Sequence, residues 1–203
     1  MITKETFAFL QELEAHNSKE WFDRNRKRYE QHAKQPFRAL CSAILDRLHS
    51  GGAEMPGLPT RQIVNIPADV KDGLMRINRD MRFVKEGGPY HTYLRSAFVP
   101  GGRKSGNPGF YLTVEPRQAG AGGGVYKAPR KFEPGLPALD GVDIAPDYRP
   151  ALDAMVEHGV KKNTPVIAIV HISPGEFVAL DDQVSWVLAR FADVAPLIAA
   201  MLS

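Results

Sequence analysis

Amphipathic helical patterns stand near both ends of this chain, and short strand patterns fill the stretch between them. Near the start, apolar residues recur at spacings of three and four, which predicts one buried helical face. This face consists of Phe37, Leu40, Cys41, Ile44, Leu45 and Leu48. Helices followed by strands and then a helix differ from the regular alternation of a parallel α/β protein. The order favours an α+β fold in which N-terminal helices and a long C-terminal helix pack on a mostly antiparallel sheet of short strands.

The C-terminal helix is predicted from Asp181 to Ser203 on the same periodicity. Its apolar face consists of Val184, Val187, Leu188, Phe191, Val194, Ile198 and Met201. Pro196 lies inside this pattern. We expect it to kink or split the helix, because proline removes one backbone hydrogen bond and crowds the preceding turn.

Local signals also mark the ends of the N-terminal helices. Asn17 is the predicted N-cap of the second helix, and Glu20 three residues later completes a capping box. Pro36 fits the first position of a third helix, where its missing N–H is tolerated. Gly51 and Gly52 follow the last residues of this pattern and are expected to end the helix.

Several short stretches in the middle of the chain have strand character. Strands are predicted at 61–67, 75–77, 81–84, 110–115, 120–126 and 165–171. Residues 75–77 and 81–84 fit either two short strands around a polar turn or one bulged strand. The glycine-rich stretch 120–126 is predicted to pair with 110–115, because glycine permits a close backbone approach. One further helix is predicted from Asp147 to His158, ending at Gly159.

The length of 203 residues fits a single domain over 1–203. Within it, a helical part covers about 1–50 and a mixed, β-rich part covers about 60–203. Cys41 is the only cysteine, which agrees with a reducing compartment. The first residues lack the pattern of a signal peptide, and no uninterrupted apolar run is as long as a membrane span. We therefore expect a soluble cytoplasmic protein that does not bind a membrane.

Motifs for nucleotides and metals are weak in this chain. The glycines of 120–124 are followed by Val125, where the dinucleotide fingerprint needs its last glycine. Residues 101–105 place Lys104 beside Ser105 but lack the glycine spacing of a P-loop. Histidine and cysteine do not cluster at the spacing of a zinc site, so no metal ligands are predicted. The sequence leaves the cofactor unknown.

Basic residues are concentrated in the middle of the chain. Residues 71–106 hold eight basic side chains against three acidic ones, whereas 133–159 hold six acidic side chains against Arg149 alone. Guanidinium groups suit carboxylates and phosphates, which they bind with two parallel hydrogen bonds. We therefore expect an anionic ligand, a small molecule or nucleic acid, to bind a basic cleft centred on 76–95. The candidate contacts are Arg79, Arg82, Lys85, Tyr90 and Arg95.

Two alternatives explain the same residues. In the first, the protein is a structural or interaction module without catalytic activity, and the arginines form ion pairs with its own acidic side chains. In the second, the protein is a hydrolase that uses Asp80, His91 and Glu115 as catalytic groups, since histidine and carboxylates exchange protons in acid–base catalysis. Convergence of these three side chains in one cleft would support the hydrolase.

Four sequence blocks resemble a bacterial family of conserved hypothetical proteins, domain of unknown function 2461. They are His16-Asn-Ser-Lys-Glu-Trp-Phe-Asp-Arg-Asn-Arg-Lys-Arg-Tyr29, Asn78-Arg-Asp-Met-Arg-Phe-Val-Lys85, Pro89-Tyr-His-Thr-Tyr-Leu94 and Gly109-Phe-Tyr-Leu-Thr-Val-Glu-Pro116. The chain departs from the family pattern between about 127 and 165, where it is short, acidic and rich in proline. The resemblance implies a shared fold and lineage and implies no activity.

Overall fold

An antiparallel sheet with its strands in chain order lies at the centre of the protein. The structure, a computed structural model, describes residues 1–51, 55, 58, 63–64, 75–83, 86–102 and 105–203. Four strands make up most of the sheet: β2 (Leu94–Pro100), β3 (Gly109–Glu115), β4 (Gln118–Val125) and β5 (Val166–Ile172). The two-residue strand β1 (Ile63–Val64) pairs with the end of β2. The rest of the predicted strand 61–67 lies outside the described residues.

Helices precede the sheet, interrupt it before β5 and follow it. In the described residues they are α1 (Lys4–Ala15), α2 (Lys19–Arg28), α3 (Gln35–His49), α4 (Arg149–His158), α5 (Pro174–Ala179) and α6 (Gln183–Leu202). The predicted α+β class, with N-terminal helices and a long C-terminal helix on an antiparallel sheet, is confirmed.

The helix α2 begins one residue later than its capping signal suggests. Ser18 is the N-cap, and its hydroxyl accepts a hydrogen bond from the Trp21 N–H at 3.2 Å. Asn17, the predicted N-cap, instead holds both backbone groups of Tyr90 through its side-chain amide. The prediction is wrong because a long-range contact claims the amide that a local cap would use.

A π-helical segment, Tyr29–Lys34, joins α2 to α3 without a break. A π-helix shifts the hydrogen-bond pattern, so its carbonyl groups need other partners. The buried hydroxyl of Thr6 in α1 donates to one of them, the His32 carbonyl, at 2.6 Å. Pro36 is the second residue of α3, one position later than predicted. The N-terminal helices are therefore fastened to one another by a polar contact as well as by apolar packing.

The helix α6 covers one face of the sheet. Phe191 stacks on Phe110 with ring centroids 4.7 Å apart and packs on Phe98 at 5.4 Å. At Gly123 an added Cβ would lie 3.0 Å from a methyl of Val194 and 3.1 Å from Ile198. The absence of a side chain on this part of β4 therefore allows α6 to approach the strand closely.

All seven residues of the predicted apolar face of α6 are buried. Pro196 lies inside one continuous helix, so the predicted split does not occur. Its side chain is exposed, and the carbonyl it leaves without a donor belongs to the exposed Ala192, where water can reach it. The helix is long and apolar enough to cross a membrane, with a mean hydropathy of 1.5. Half of that window, however, is buried inside the protein, as in the core helix of many folds.

Two other parts of the chain differ from their predictions. Residues 75–77 form no strand, and Met81–Phe83 is a short 3-10 turn beside a single bridge between Asn78 and Tyr90. This turn forms because the Asp80 carboxylate accepts a hydrogen bond from the Arg82 N–H. The helix α5 is an addition to the predicted elements, and Ser173 and Glu176 form a complete capping box at its start.

The second face of the sheet is covered by a segment without regular structure, residues 126–148. Backbone hydrogen bonds fasten it to the sheet region: the Ala145 N–H donates to the Ile169 carbonyl of β5, and the Ala128 N–H donates to Thr164. Tyr126 at its start contacts Arg95 of β2 and Tyr111 of β3, and a space remains between these strands and residues 143–148. A cavity is left there, and its floor is the sheet itself.

Candidate functional site

The floor of this cavity is a row of residues that runs across four strands. Arg95 pairs with Thr113, Thr113 pairs with Gly120, and Gly120 pairs with His171. Residues directly opposite each other in a sheet point to the same face. The row therefore brings a guanidinium, a hydroxyl and an imidazole onto one surface. It spans three inter-strand spacings, or about 14 Å.

Gly120 leaves room for the His171 ring. A Cβ at position 120 would lie 2.2 Å from the Cδ2 atom of His171 and 2.6 Å from its Nε2 atom. The imidazole therefore lies across the glycine instead of standing away from the sheet. A side chain at this position would push the ring out of its place.

The cavity above the row has a volume of about 500 Å³. This lies within the range of roughly 300–1,000 Å³ that small-molecule sites occupy. Arg95, Glu115 and His171 line it from the sheet, and residues Asp143 and Asp147 line it from the covering segment. The cavity is polar, with a few apolar side chains between the charged ones.

Arg95 is held from three directions. Its Nη2 atom lies 3.4 Å from Glu115 Oε1, its Nη1 donates to the Tyr126 hydroxyl at 3.2 Å, and its guanidinium lies 4.5 Å from the centre of the Tyr93 ring. Its buried Nε has no hydrogen-bond partner among the residues that the structure describes. Arg95 also lines two neighbouring hollows of about 310 and 510 Å³. The guanidinium is thus fixed in position at a point where three open spaces meet.

Glu115 is the acidic partner of this arginine. Its carboxylate also accepts hydrogen bonds from the Thr113 hydroxyl at 3.1 Å and from the Gln118 side-chain amide at 3.0 Å. Both its oxygens are therefore engaged, and the carboxylate is held on the floor of the cavity. Its charge compensates that of Arg95.

His171 is half-buried, and burial lowers the pKa of its imidazole. The nearby carboxylates of Glu115 and Asp147 act in the opposite direction, and Arg95 adds to the lowering. The net direction is downward, so the ring is mainly neutral near neutral pH. A neutral imidazole carries both a donor and an acceptor and can exchange a proton with a bound molecule.

The predicted contacts other than Arg95 lie away from this cavity. Arg79 donates to the carbonyls of Glu86 and Gly88 at 3.3 and 3.1 Å, so it holds its own loop. Arg82 pairs with Asp80 at 2.7 Å, and its side chain is 81% exposed. Lys85 lies outside the described residues.

Tyr90 is buried and belongs to the core. Its ring stacks on Phe22 with centroids 4.0 Å apart, and Asn17 binds its backbone on both sides. The ring face is therefore occupied by a protein neighbour.

The three candidate catalytic residues are placed differently. Glu115 lies on the cavity floor, and the hydrogen bonds that Asp80 accepts come from Arg82. His91 lies beside Tyr93, with ring centroids 4.8 Å apart. Burial and the charges of Arg79 and Arg95 lower the pKa of its imidazole. Of the described residues that line the cavity, none is Asp80 or His91.

The cavity residues that are absent from the candidates suggested by the sequence include Thr113, Gln118, Asp143, Asp147 and His171. His171 ends an apolar strand in which Ile167 and Ile169 point to the same face, so alternation alone would place it beside them. Its neighbours across the sheet, however, depend on strand register. Strand register depends on residues far apart in the chain, so a local sequence pattern does not reveal it.

The described residues show little support for metal or thiol chemistry. Among them, no three histidine, cysteine or carboxylate side chains gather closely enough to hold a metal ion. Cys41 is fully buried in α3, and burial raises the pKa of its thiol to about 12. The burial of Cys41 and the raised pKa of its thiol agree with a cysteine that belongs to the core.

Arg79 and Arg82 should respond differently to truncation. Arg79→Ala removes two hydrogen bonds to backbone carbonyls, so we expect a loss of about 1–2 kcal/mol of stability. This would lower the Tm by roughly 3–6 °C. Arg82→Ala removes an exposed ion pair and should leave the Tm unchanged. Thermal unfolding followed by circular dichroism checks both. Equal Tm values for the two variants would contradict the role assigned to Arg79.

The fold and the site define an α+β domain with helices on one face of its sheet and a polar cavity on the other. The family model described as "Conserved hypothetical protein (DUF2461)" matches residues 5–132. Since this is more than half of the chain, the protein belongs to that family, and the resemblance of its sequence blocks is confirmed. Neither the curated proteins nor the solved structures gave a match. Arg95, Glu115 and Gly120 lie within the matched residues, whereas Asp147 and His171 follow them.

Proposed function

We propose that the protein binds a small molecule carrying a carboxylate or phosphate group in the cavity above β2–β5, with Arg95 as the contact for the acidic group. The arrangement around Arg95 supports this proposal. Its guanidinium is held by Glu115, Tyr126 and Tyr93 at the meeting point of three hollows. A guanidinium held in this way loses little conformational freedom when a ligand binds.

The chemistry of the group agrees with an acidic ligand. Guanidinium binds carboxylate and phosphate oxygens through charge-assisted hydrogen bonds, which are stronger than neutral ones. The side chain of Arg95 is 22% exposed, so water screens such a bond less than it would on the open surface. His171 offers a further polar contact on the same floor.

This proposal narrows the one based on the sequence. Of the basic residues in 76–95, Arg95 carries it, and the volume of about 500 Å³ fits a small molecule. The alternative of internal pairing is favoured for Arg79 by its two carbonyl contacts and for Arg82 by its ion pair. Arg79 then stabilises its own loop, whereas the exposed ion pair of Arg82 adds little stability.

A substitution at Arg95 tests the proposal directly. Arg95→Gln keeps a polar side chain and removes the charge, so we expect binding of acetate, hexanoate or inorganic phosphate to weaken at least about tenfold. Isothermal titration calorimetry on the full chain measures the affinities. Arg26→Gln on α2 is the matched control, because it removes an arginine that pairs with Asp23 on the exposed surface. It should bind like the wild type.

Two results would overturn the proposal. One is a wild-type protein that binds none of the three anions. The other is an Arg95→Gln variant that is folded by circular dichroism and binds them as tightly as the wild type.

A further inference from the structure

We infer that the molecule bound in this cavity carries a positively charged amino group in addition to its acidic group. The inference rests on the proposed function and follows from the charges that line the space. Among the described residues these are one cation, Arg95, and three carboxylates, Glu115, Asp143 and Asp147. The imidazole of His171 adds no compensating charge near neutral pH, because its burial keeps the ring mainly neutral.

The charges fall into two groups. Arg95 and Glu115 lie together on the floor and compensate each other at a distance of 3.4 Å. Asp143 and Asp147 lie exposed in the covering segment, and the ion pairs found among the described residues do not include them. Two negative charges are therefore left on the wall of the cavity.

Hydrogen bonds hold the backbone between the two wall aspartates in place. The Ala145 N–H donates to the Ile169 carbonyl at 2.8 Å, and the Tyr148 N–H donates to the Ala145 carbonyl at 2.9 Å. Asp147 lies close enough to His171 to raise its pKa against the effect of burial. The carboxylates therefore border the same space as the floor residues.

A ligand with an acidic group alone would meet a cavity of net negative charge. Its acidic group would bind Arg95, but the rest of the molecule would lie near two carboxylates that repel it. An amino group turns this repulsion into attraction and supplies N–H donors to the carboxylate oxygens. The side chain of Arg95 stays 22% exposed beside Glu115, so its guanidinium end can still donate to an acidic group. The ligand class that matches both groups is an amino acid or another small zwitterion.

Four probes with the same six-carbon chain separate these contributions: norleucine, ε-aminohexanoate, hexanoate and hexylamine. The first two are zwitterions that differ in the distance between their charges. Calorimetric titration of the full chain should show one of the zwitterions binding about tenfold more tightly than hexanoate or hexylamine. The probe that binds then indicates how far apart the two charges of the natural ligand are.

The double variant Asp143→Asn, Asp147→Asn tests the wall. It should remove the preference for the zwitterion while hexanoate binds as tightly as before or more tightly. Asp181→Asn, which alters an exposed acid outside the cavity, is the control and should preserve the preference.

The outcomes separate the inference from the function on which it rests. Hexanoate binding as tightly as both zwitterions would overturn the inference and leave the binding of acids at Arg95 intact. A folded double variant that still prefers the zwitterion over hexanoate would also overturn the inference and leave the binding of acids at Arg95 intact. Hexylamine binding as tightly as the zwitterions, or no binding by any probe, would overturn the proposed function itself.

Discussion

Gly122→Ala is expected to destabilise the protein by about 3 kcal/mol or more, because the added methyl group has no space. Its Cβ would lie 2.0 Å from the Ala168 carbonyl oxygen and 2.8 Å from the Ile169 Cα. Both are backbone atoms of β5, so a side-chain rotation cannot relieve the clash. Strands β4 and β5 would have to move apart and lose hydrogen bonds.

The expected change is a Tm roughly 6–12 °C below that of the wild type, measured by differential scanning calorimetry. Gly175→Ala in α5 is the matched control, because nothing lies within 4 Å of its added Cβ. Its stability should stay within about 0.5 kcal/mol of the wild type. A Gly122→Ala protein that melts with the wild type would show that β4 and β5 do not approach as closely as described.

Phe191→Ala is expected to lower the stability by about 3–5 kcal/mol. The ring is fully buried between α6 and the sheet, where it contacts Phe98 and Phe110. Its removal takes away apolar contacts and leaves a cavity that the rigid sheet cannot close. The loss is large compared with the total stability of a typical domain.

Urea unfolding at equilibrium measures this loss, and Phe191→Leu provides the comparison. Leucine keeps part of the apolar volume and should retain more than half of the lost stability. If alanine and leucine proved equally stable, the packing of α6 on the sheet would not depend on this ring.

The helices and most strands can be predicted because their signals are local. A helix buries a stripe that repeats every three to four residues, so the apolar pattern of α6 is enough to indicate its buried face. The glycine-rich strand is predicted in the same way, since 110–115 is an evident strand and glycine permits close pairing. These features depend on neighbours in the chain.

The cavity cannot be predicted from local patterns, because its residues meet only through strand register. Thr113 lies between Arg95 and Gly120 because β3 and β4 turn at Pro116 and Arg117, so that Glu115 pairs with Gln118. A shift of one residue would turn every side chain to the opposite face. The covering segment also has no periodic pattern that reveals where it lies.

The start of the second helix shows the same limit on a smaller scale. Asn17 and Ser18 are both good caps, and the local sequence does not choose between them. The choice is made by Tyr90, 73 residues away, whose backbone binds the Asn17 amide. The sequence predicts that Tyr90 contacts a ligand, but its ring packs on Phe22. This contact, too, joins residues far apart in the chain, so local patterns do not reveal it.

The glycines on the cavity face of β4 leave the cavity lined mainly by side chains from other parts of the chain. Among the described lining residues, β4 contributes the side chain of Gln118 alone, so the proposed acid-binding group on β2 and β3 and the wall formed by 143–148 lie on separate segments of the chain. The first lies inside the residues matched by the family model and the second outside them. Exchanging the wall segment alone would retarget the protein to a different ligand while its acid-binding group stayed unchanged.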